Sequence, residues 1–123
     1  MQEISLNESL FPAQSSSPVW EISIGEKLRE MTALNPAAPA LVEVTVEGVT
    51  ERRWTYGELL ADAEQLAEAL STRFAPGERV VVWAHNIPEW VLMEYACALS
   101  GLVLVTANPA FQPKELRLSL IHI

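Results

Sequence analysis

Apolar residues between Ser23 and Val105 recur with a helical period in some segments and as β-branched runs in others, with proline, glycine or a capping residue at each change of period. Ser23 and Glu26 make the pattern Ser-x-x-Glu, whose side chains can each satisfy a backbone amide at a helix start, and Leu28 and Met31 follow on one side. The spacing predicts a helix that stops near Asn35-Pro36. Pro36 and Pro39 forbid its continuation, because proline lacks the amide hydrogen and turns the preceding residue away from helical angles. From Ala40 to Val46, Leu41, Val42, Val44 and Val46 suit a strand, and Glu47-Gly48 turns the chain into a second extended stretch ending at Trp54, which together predict a β-hairpin.

Thr55 and Glu58 repeat the capping pattern, and Leu59, Ala63, Leu66, Ala67 and Leu70 then recur at helical spacing while Glu58, Asp62 and Glu68 mostly face away. Pro76-Gly77 leads into Arg79-Val80-Val81-Val82-Trp83-Ala84, a run of the kind that sits covered on both faces of a parallel sheet, and it is predicted to be a central strand. Pro88 fits the first turn of a helix that carries Trp90, Val91, Met93, Ala96, Cys97 and Leu99 toward Gly101, and Leu102 to Val105 is a second strand. Strand, crossover helix and strand of this length predict a right-handed βαβ unit. The expected fold class is therefore α/β. Trp90 to Ala107 has Glu94 as its only charge, but a carboxylate within a membrane span costs about 2.5 to 3.5 kcal/mol and Ser100-Gly101 breaks the stretch, so a buried helix followed by a buried strand is expected rather than a span.

A chain of 123 residues with 50% apolar content has room for one small domain and can supply its core. The net charge of −8 is distributed as −6 through Glu51 and −2 beyond it, so neither part offers a basic field for nucleic acid. Cys97 is the only cysteine, which removes a disulfide framework and a zinc module and points to a reducing compartment, the cytoplasm. No secretory pattern occurs in the first twenty residues, where Glu3, Asn7, Glu8 and Ser15-Ser16-Ser17 stand. Residues 1–18 show no period and are expected to form a loose arm.

The five glycines are isolated and none lies in a phosphate-cradling spacing. Ser100 lacks a strained elbow and Cys97 lies within an apolar helix, so both are read as structural rather than nucleophilic. His85 and Asn86 follow the first parallel strand and Asn108 follows the second, at the carboxyl ends where open α/β sheets bind ligands. The plainer reading is that His85-Asn86 and Asn108-Pro109 only turn the chain. Trp54, Trp83 and Trp90 could line an apolar pocket, with packing inside the fold the preferred expectation.

Several strings in this order resemble one family. They are Trp54-Thr55-Tyr56-Gly57-Glu58-Leu59, Pro76-Gly77-Glu78-Arg79-Val80, Trp83-Ala84-His85-Asn86-Ile87-Pro88-Glu89-Trp90-Val91, Gly101-Leu102-Val103-Leu104-Val105 and Asn108-Pro109. Over Val19 to Arg117 they resemble the opening of adenylate-forming (AMP-binding) acyl-CoA synthetases, and Val19-Trp20-Glu21-Ile22-Ser23-Ile24-Gly25 is most similar to the fatty-acyl-CoA ligase branch. The resemblance implies a truncated N-terminal part of the large domain, residues 19–117, with the hairpin and the βαβ unit. For the parent it implies ATP, magnesium and coenzyme A, a fatty acid or other carboxylic acid as substrate, and an acyl-adenylate that the thiol of coenzyme A converts to a thioester. The family's Pro-Lys-Gly phosphate loop, its Tyr-Gly-x-Thr-Glu segment, its ribose-binding Asp and its C-terminal lysine have no counterpart here, so no catalytic, cofactor-binding or metal residue is assigned. The 123-residue chain is expected to be inactive and poorly soluble. Another adenylating enzyme, such as an aryl-CoA ligase or a peptide-synthetase adenylation domain, and a short non-catalytic interaction module stay open, as does peripheral membrane contact. Leu118-Ser119-Leu120-Ile121-His122-Ile123 is also what a sequencing-library transposon end, read as CTG TCT CTT ATA CAC ATC, would encode, so residues 118–123 are either a non-native tail or a helix continued by Leu116, Leu120 and Ile121.

Overall fold

Two of the helices begin where the sequence places a reciprocal cap. A computed structural model describes residues 19–121; the arm at 1–18 and the last two residues lie outside the described residues. The elements are α1 (Ile24–Leu34), β1 (Pro39–Val44), β2 (Thr50–Thr55), α2 (Tyr56–Ser71), β3 (Arg79–Val82), α3 (Pro88–Ser100), β4 (Val103–Thr106) and α4 (Pro113–Leu120). Ahead of α1, the Glu26 amide donates to Ser23 Oγ at 3.1 Å and the Ser23 amide to the Glu26 carboxylate at 3.0 Å. Ahead of α2, the Glu58 amide donates to Thr55 Oγ1 at 3.2 Å and the Thr55 amide to the Glu58 carboxylate at 2.8 Å. The backbone bond, then the side-chain bond, holds each carboxyl below its ordinary range. At α4 the Gln112 amide donates to the Glu115 carboxylate at 2.7 Å.

β1 and β2 form the expected antiparallel hairpin, with Leu41 opposite Trp54, Val42 opposite Arg53 and Glu43 opposite Arg52. Its turn is closed by the Thr45 amide on the Val49 carbonyl at 2.9 Å. β3 and β4 pair in parallel, Arg79 to Val103 through Val82 to Thr106, with α3 as the crossover between them. Gly101 ends α3 in the left-handed conformation, φ 71°, where a side chain would be strained.

α3 lies at the centre, touching α1, α2, β1, β3 and β4. That position explains its apolar sequence: a helix enclosed by five elements has little need of a polar face. Among the described residues no helix is long and apolar enough to cross a membrane. α2 packs on α3, and each buries an alanine completely, Ala63 and Ala96. α1 approaches α3 at Gly25, where an added Cβ would stand 3.0 Å from Leu99 Cδ2. Under the parallel strands, Val80, Cys97 and Leu102 form the buried cluster, with Leu70, Phe74, Met93 and Leu104 against it.

Two expectations need correction. β3 was expected to be central and covered on both faces, yet it alternates: Val80 and Val82 are buried whereas Val81 is 39% exposed. Among the described residues the sheet has only β3 and β4, the helices cover one face, and no described element lies over the other. Packing in the core was also expected for Trp83, which is instead 45% exposed on the open side. α4 extends through Leu120, with Leu116 and Leu120 half-buried and Leu118 exposed.

Candidate functional site

The carboxyl ends of β3 and β4 meet where His85, Asn86 and Asn108 were singled out. The Ala107 amide donates to the Val82 carbonyl at 3.0 Å, which holds the two strand ends together. Beyond it, Trp83 Nε1 donates to the Asn108 carbonyl at 3.1 Å, and Asn108 Oδ1 accepts from the Ala110 amide at 2.9 Å. The Phe111 amide donates to the same Asn108 carbonyl at 3.0 Å. Asn108 thus spends its side-chain oxygen on its own turn, an Asx-type role that matches the plainer reading. His85 and Asn86 are exposed, and among the described residues neither side chain makes a hydrogen bond to protein.

Asn86 instead borders a groove of about 360 Å³ between the start of α3 and β1. Its walls are Leu41, Val42 and Val44 on the hairpin side and Ile87, Trp90 and Val91 on the helix side, with Glu43 as the only charged group. Pro88 is buried in the first turn of α3, as its missing amide hydrogen allows, and Ile87 supplies no side-chain cap. Trp90 is therefore half-buried beside an apolar groove. Trp54 is half-buried by other means: its Nε1 donates to Asp62 Oδ2 at 2.9 Å, and the Arg52 guanidinium lies 5.4 Å from its ring centroid.

Arg52 is the residue that sequence reasoning missed. Its Nε donates to Glu43 Oε2 at 2.5 Å, its Nη2 to Glu43 Oε1 at 3.2 Å and to Glu89 Oε2 at 3.2 Å, and its Nη1 pairs with Glu89 Oε1. One guanidinium thereby joins the hairpin to the first turn of α3, the two walls of the groove. The hydrogen bonds to Glu43 first, then to Glu89, raise the Arg52 pKa further above its ordinary value, and the bond from Arg52 lowers that of Glu89. The available signal was the hairpin register, which sets Glu43 directly opposite Arg52.

Cys97 and Ser100, read from the sequence as structural rather than nucleophilic, have no catalytic setting. Cys97 is buried to 1% exposure in the apolar cluster, and desolvation pushes its thiol up. Ser100 Oγ donates to the Ala96 carbonyl at 2.7 Å, a bond that merely returns it to its own helix. A second groove, about 440 Å³, is lined by Trp20, Ile22, Lys27, Leu28, Tyr56 and Tyr95 among others. Lys27 Nζ lies 4.3 Å from the Trp20 ring centroid, and burial first, then Glu94, pushes the Tyr95 hydroxyl up. Among the described residues no group of three His, Cys, Asp or Glu side chains could hold a metal ion.

The profile of the family described as "AMP-binding enzyme" matches residues 28–123. The medium-chain acyl-CoA ligase ACSF2, mitochondrial, of Danio rerio is 34% identical over 116 residues, which are 94% of this chain and 18% of that protein. The acyl-CoA ligase SID4 of Ajellomyces capsulatus is 34% identical over 105 residues, 85% of this chain and 17% of that one. Among solved structures, the inhibitor-bound N-terminal domain of FACL13 from Mycobacterium tuberculosis superposes with a TM-score of 0.70 at 29% identity, over 80% of this chain and 24% of that domain. The chain spans less than a fifth of the length of these two curated relatives.

Proposed function

The chain belongs to the AMP-binding enzyme family, and from that membership we propose that it is the N-terminal part of the large domain of an ATP-dependent fatty-acyl-CoA ligase. In the proposed parent reaction a fatty acid carboxylate attacks the α-phosphate of ATP, releasing pyrophosphate and leaving an acyl-adenylate. The thiol of coenzyme A then displaces AMP to give the thioester. Magnesium would offset charge on the triphosphate when bound. The observation that carries this reading is the match of almost the whole chain, 94% of it, to a protein named as an acyl-CoA ligase.

The residues in hand are assigned a supporting part. They build a helix-backed pair of parallel strands, a hairpin joined to α3 through Arg52, and two grooves. They contain no residue to which nucleotide, magnesium or thioester chemistry is assigned, so the 123-residue polypeptide by itself is proposed to be inactive. The single thiol, buried and unpaired, supports a reducing compartment, and we read that compartment as the cytoplasm; fractionation of cells carrying the tagged intact product would show it.

The test of the activity is an assay of the intact product of the locus with ATP, magnesium, coenzyme A and saturated fatty acids of several lengths. Pyrophosphate, AMP and acyl-CoA are expected in equal amounts and only with a fatty acid present. Turnover confined to aryl or amino acids would overturn the fatty-acid assignment, and no turnover with any acid would overturn the ligase assignment.

A further inference from the structure

Glu43 and Glu89 share one guanidinium, yet the hairpin is attached to α2 and to α3 in different ways. Its base is tied by the Tyr56 amide to the Ala38 carbonyl at 3.0 Å, by the Gly57 amide to the Pro36 carbonyl at 2.9 Å, and by Trp54 Nε1 to Asp62 of α2. Toward α3 the groove of about 360 Å³ lies between the two walls, and among the described residues the bonds from Arg52 to Glu89 are the only hydrogen bonds joining the hairpin to that helix. The hairpin register also slips twice. Pro39 and Leu41 stand opposite Thr55 and Trp54, so Ala40 is an extra residue at the base, a place where a strand bends. Glu43 and Val44 stand opposite Arg52 and Thr50, so Glu51 is an extra residue beside Arg52, the kind of irregularity that re-aims a side chain.

We propose that the hairpin is a hinged flap over this groove, pivoting at Ala40 and latched to α3 by the ion pair of Arg52 with Glu89, so that releasing the latch widens the groove while the hairpin and its base stay formed. Glu43 is the positioning residue of the latch. It accepts from Nε and Nη2 and so fixes the fork, leaving Nη1 and the second Nη2 hydrogen for Glu89. Exposure sets how the latch responds to its surroundings: the Arg52 side chain is 43% exposed and that of Glu89 52%, so counter-ions reach both and salt screens the pair. The backbone bonds at the base carry no net charge and are not screened in this way. Across the groove the facing side chains are apolar but for Glu43, and the open volume between them leaves little dispersion attraction to hold the walls once the pair is broken. The flap and its latch consist of this chain's own contacts and do not depend on the ligase reading.

The experiment follows the Trp90 indole of the 123-residue chain by NMR, with an uncharged gadolinium chelate in the solvent whose relaxation effect reports how far the groove is open to water. Raising sodium chloride from about 0.01 M to about 1 M shortens the screening length from about 30 Å to about 3 Å, and should increase the effect on Trp90 about twofold or more. The Trp83 indole, bonded to the Asn108 carbonyl, should not change. Arg52→Gln and Glu89→Gln should each give the high-salt value already at low salt and lose the salt response, and Arg52→Lys, which keeps the charge but not the fork, should fall between. Hydrogen exchange at the Thr45 amide within the hairpin and at the Tyr56 amide at its base should stay within about twofold of the unaltered chain throughout. A Trp90 signal indifferent to salt and to Glu89→Gln overturns the proposal. Exchange at Thr45 or Tyr56 that rises about tenfold together with Trp90 exposure overturns it as well, because the hairpin would then be unfolding rather than pivoting. An equal change at Trp83, or a salt response that persists in both glutamine variants, also overturns it, by placing the sensitivity outside the latch.

Discussion

Val80 and Val81 are neighbours in one strand with the same side chain, and the molecule treats them in opposite ways. Val80 is 9% exposed in a cluster with Cys97 and Leu102, and Val81 is 39% exposed beside Val103 and Trp83. The difference lies in what each face meets. α2 and α3 come from the same chain and reach the Val80 side; the Val81 side has no described element over it. β-Branched residues thus mark a surface suited to burial without saying what buries it.

The contrast is sharpest when each side is perturbed. Leu59→Ala on the helical side removes a side chain that is 3% exposed on α2, and should cost about 3 kcal/mol through lost transfer energy and the cavity left. Urea unfolding followed by circular dichroism gives the value, and a cost under about 1 kcal/mol would break the view that α2 is part of a packed core. Next, Val80→Ala should cost about 2 kcal/mol while Val81→Ala stays within about 0.5 kcal/mol in the same titration. Equal costs would mean that the two faces are equally covered in the isolated chain. Thr55→Ala takes away an oxygen that accepts the Glu58 amide at 3.2 Å, and should cost about 1 kcal/mol, with Thr55→Ser restoring most of it.

The smallest expected effect is a pH dependence. Glu26 and Glu58 accept cap hydrogen bonds that depress their folded-state pKa below the ordinary 4.5. The ionised form therefore favours the fold: its contribution is fully present above about pH 4.5 and is lost as pH falls through the lower folded values. The melting temperature should be flat from pH 8 to about 5 and decline below it, and Glu58→Gln should flatten that decline. An unchanged acid limb in this variant would show that the cap carboxylate is not its source.

What could be read from the chain beforehand was local. Ser23 with Glu26 and Thr55 with Glu58 are separated by three residues, so the physics of a helix start is complete within one turn, and both caps form as the pattern predicts. The hairpin and the βαβ order were legible for the same reason, since turn residues and apolar runs fix them at short range. The coverage of β3 was not, because it depends on which face elements distant in sequence come to lie over. Nor was Arg52, whose role requires the hairpin register and the first turn of α3 together, 37 residues apart for the pair with Glu89. Of the residues flagged at the strand ends, Asn108 proved to organise its own loop and Asn86 to border a groove whose opposite wall is β1, a pairing that no spacing within one segment discloses.

The chain's own helices cover one face of β3 and β4, and the described residues are proposed to be scaffold while the ligase chemistry belongs to other parts of the proposed parent. The most direct test of that division is carboxylate-dependent pyrophosphate release by the purified 123-residue polypeptide, supplied with ATP, magnesium, coenzyme A and fatty acids. Release at the no-protein background is the predicted result, and sustained fatty-acid-dependent turnover by this polypeptide alone would contradict it.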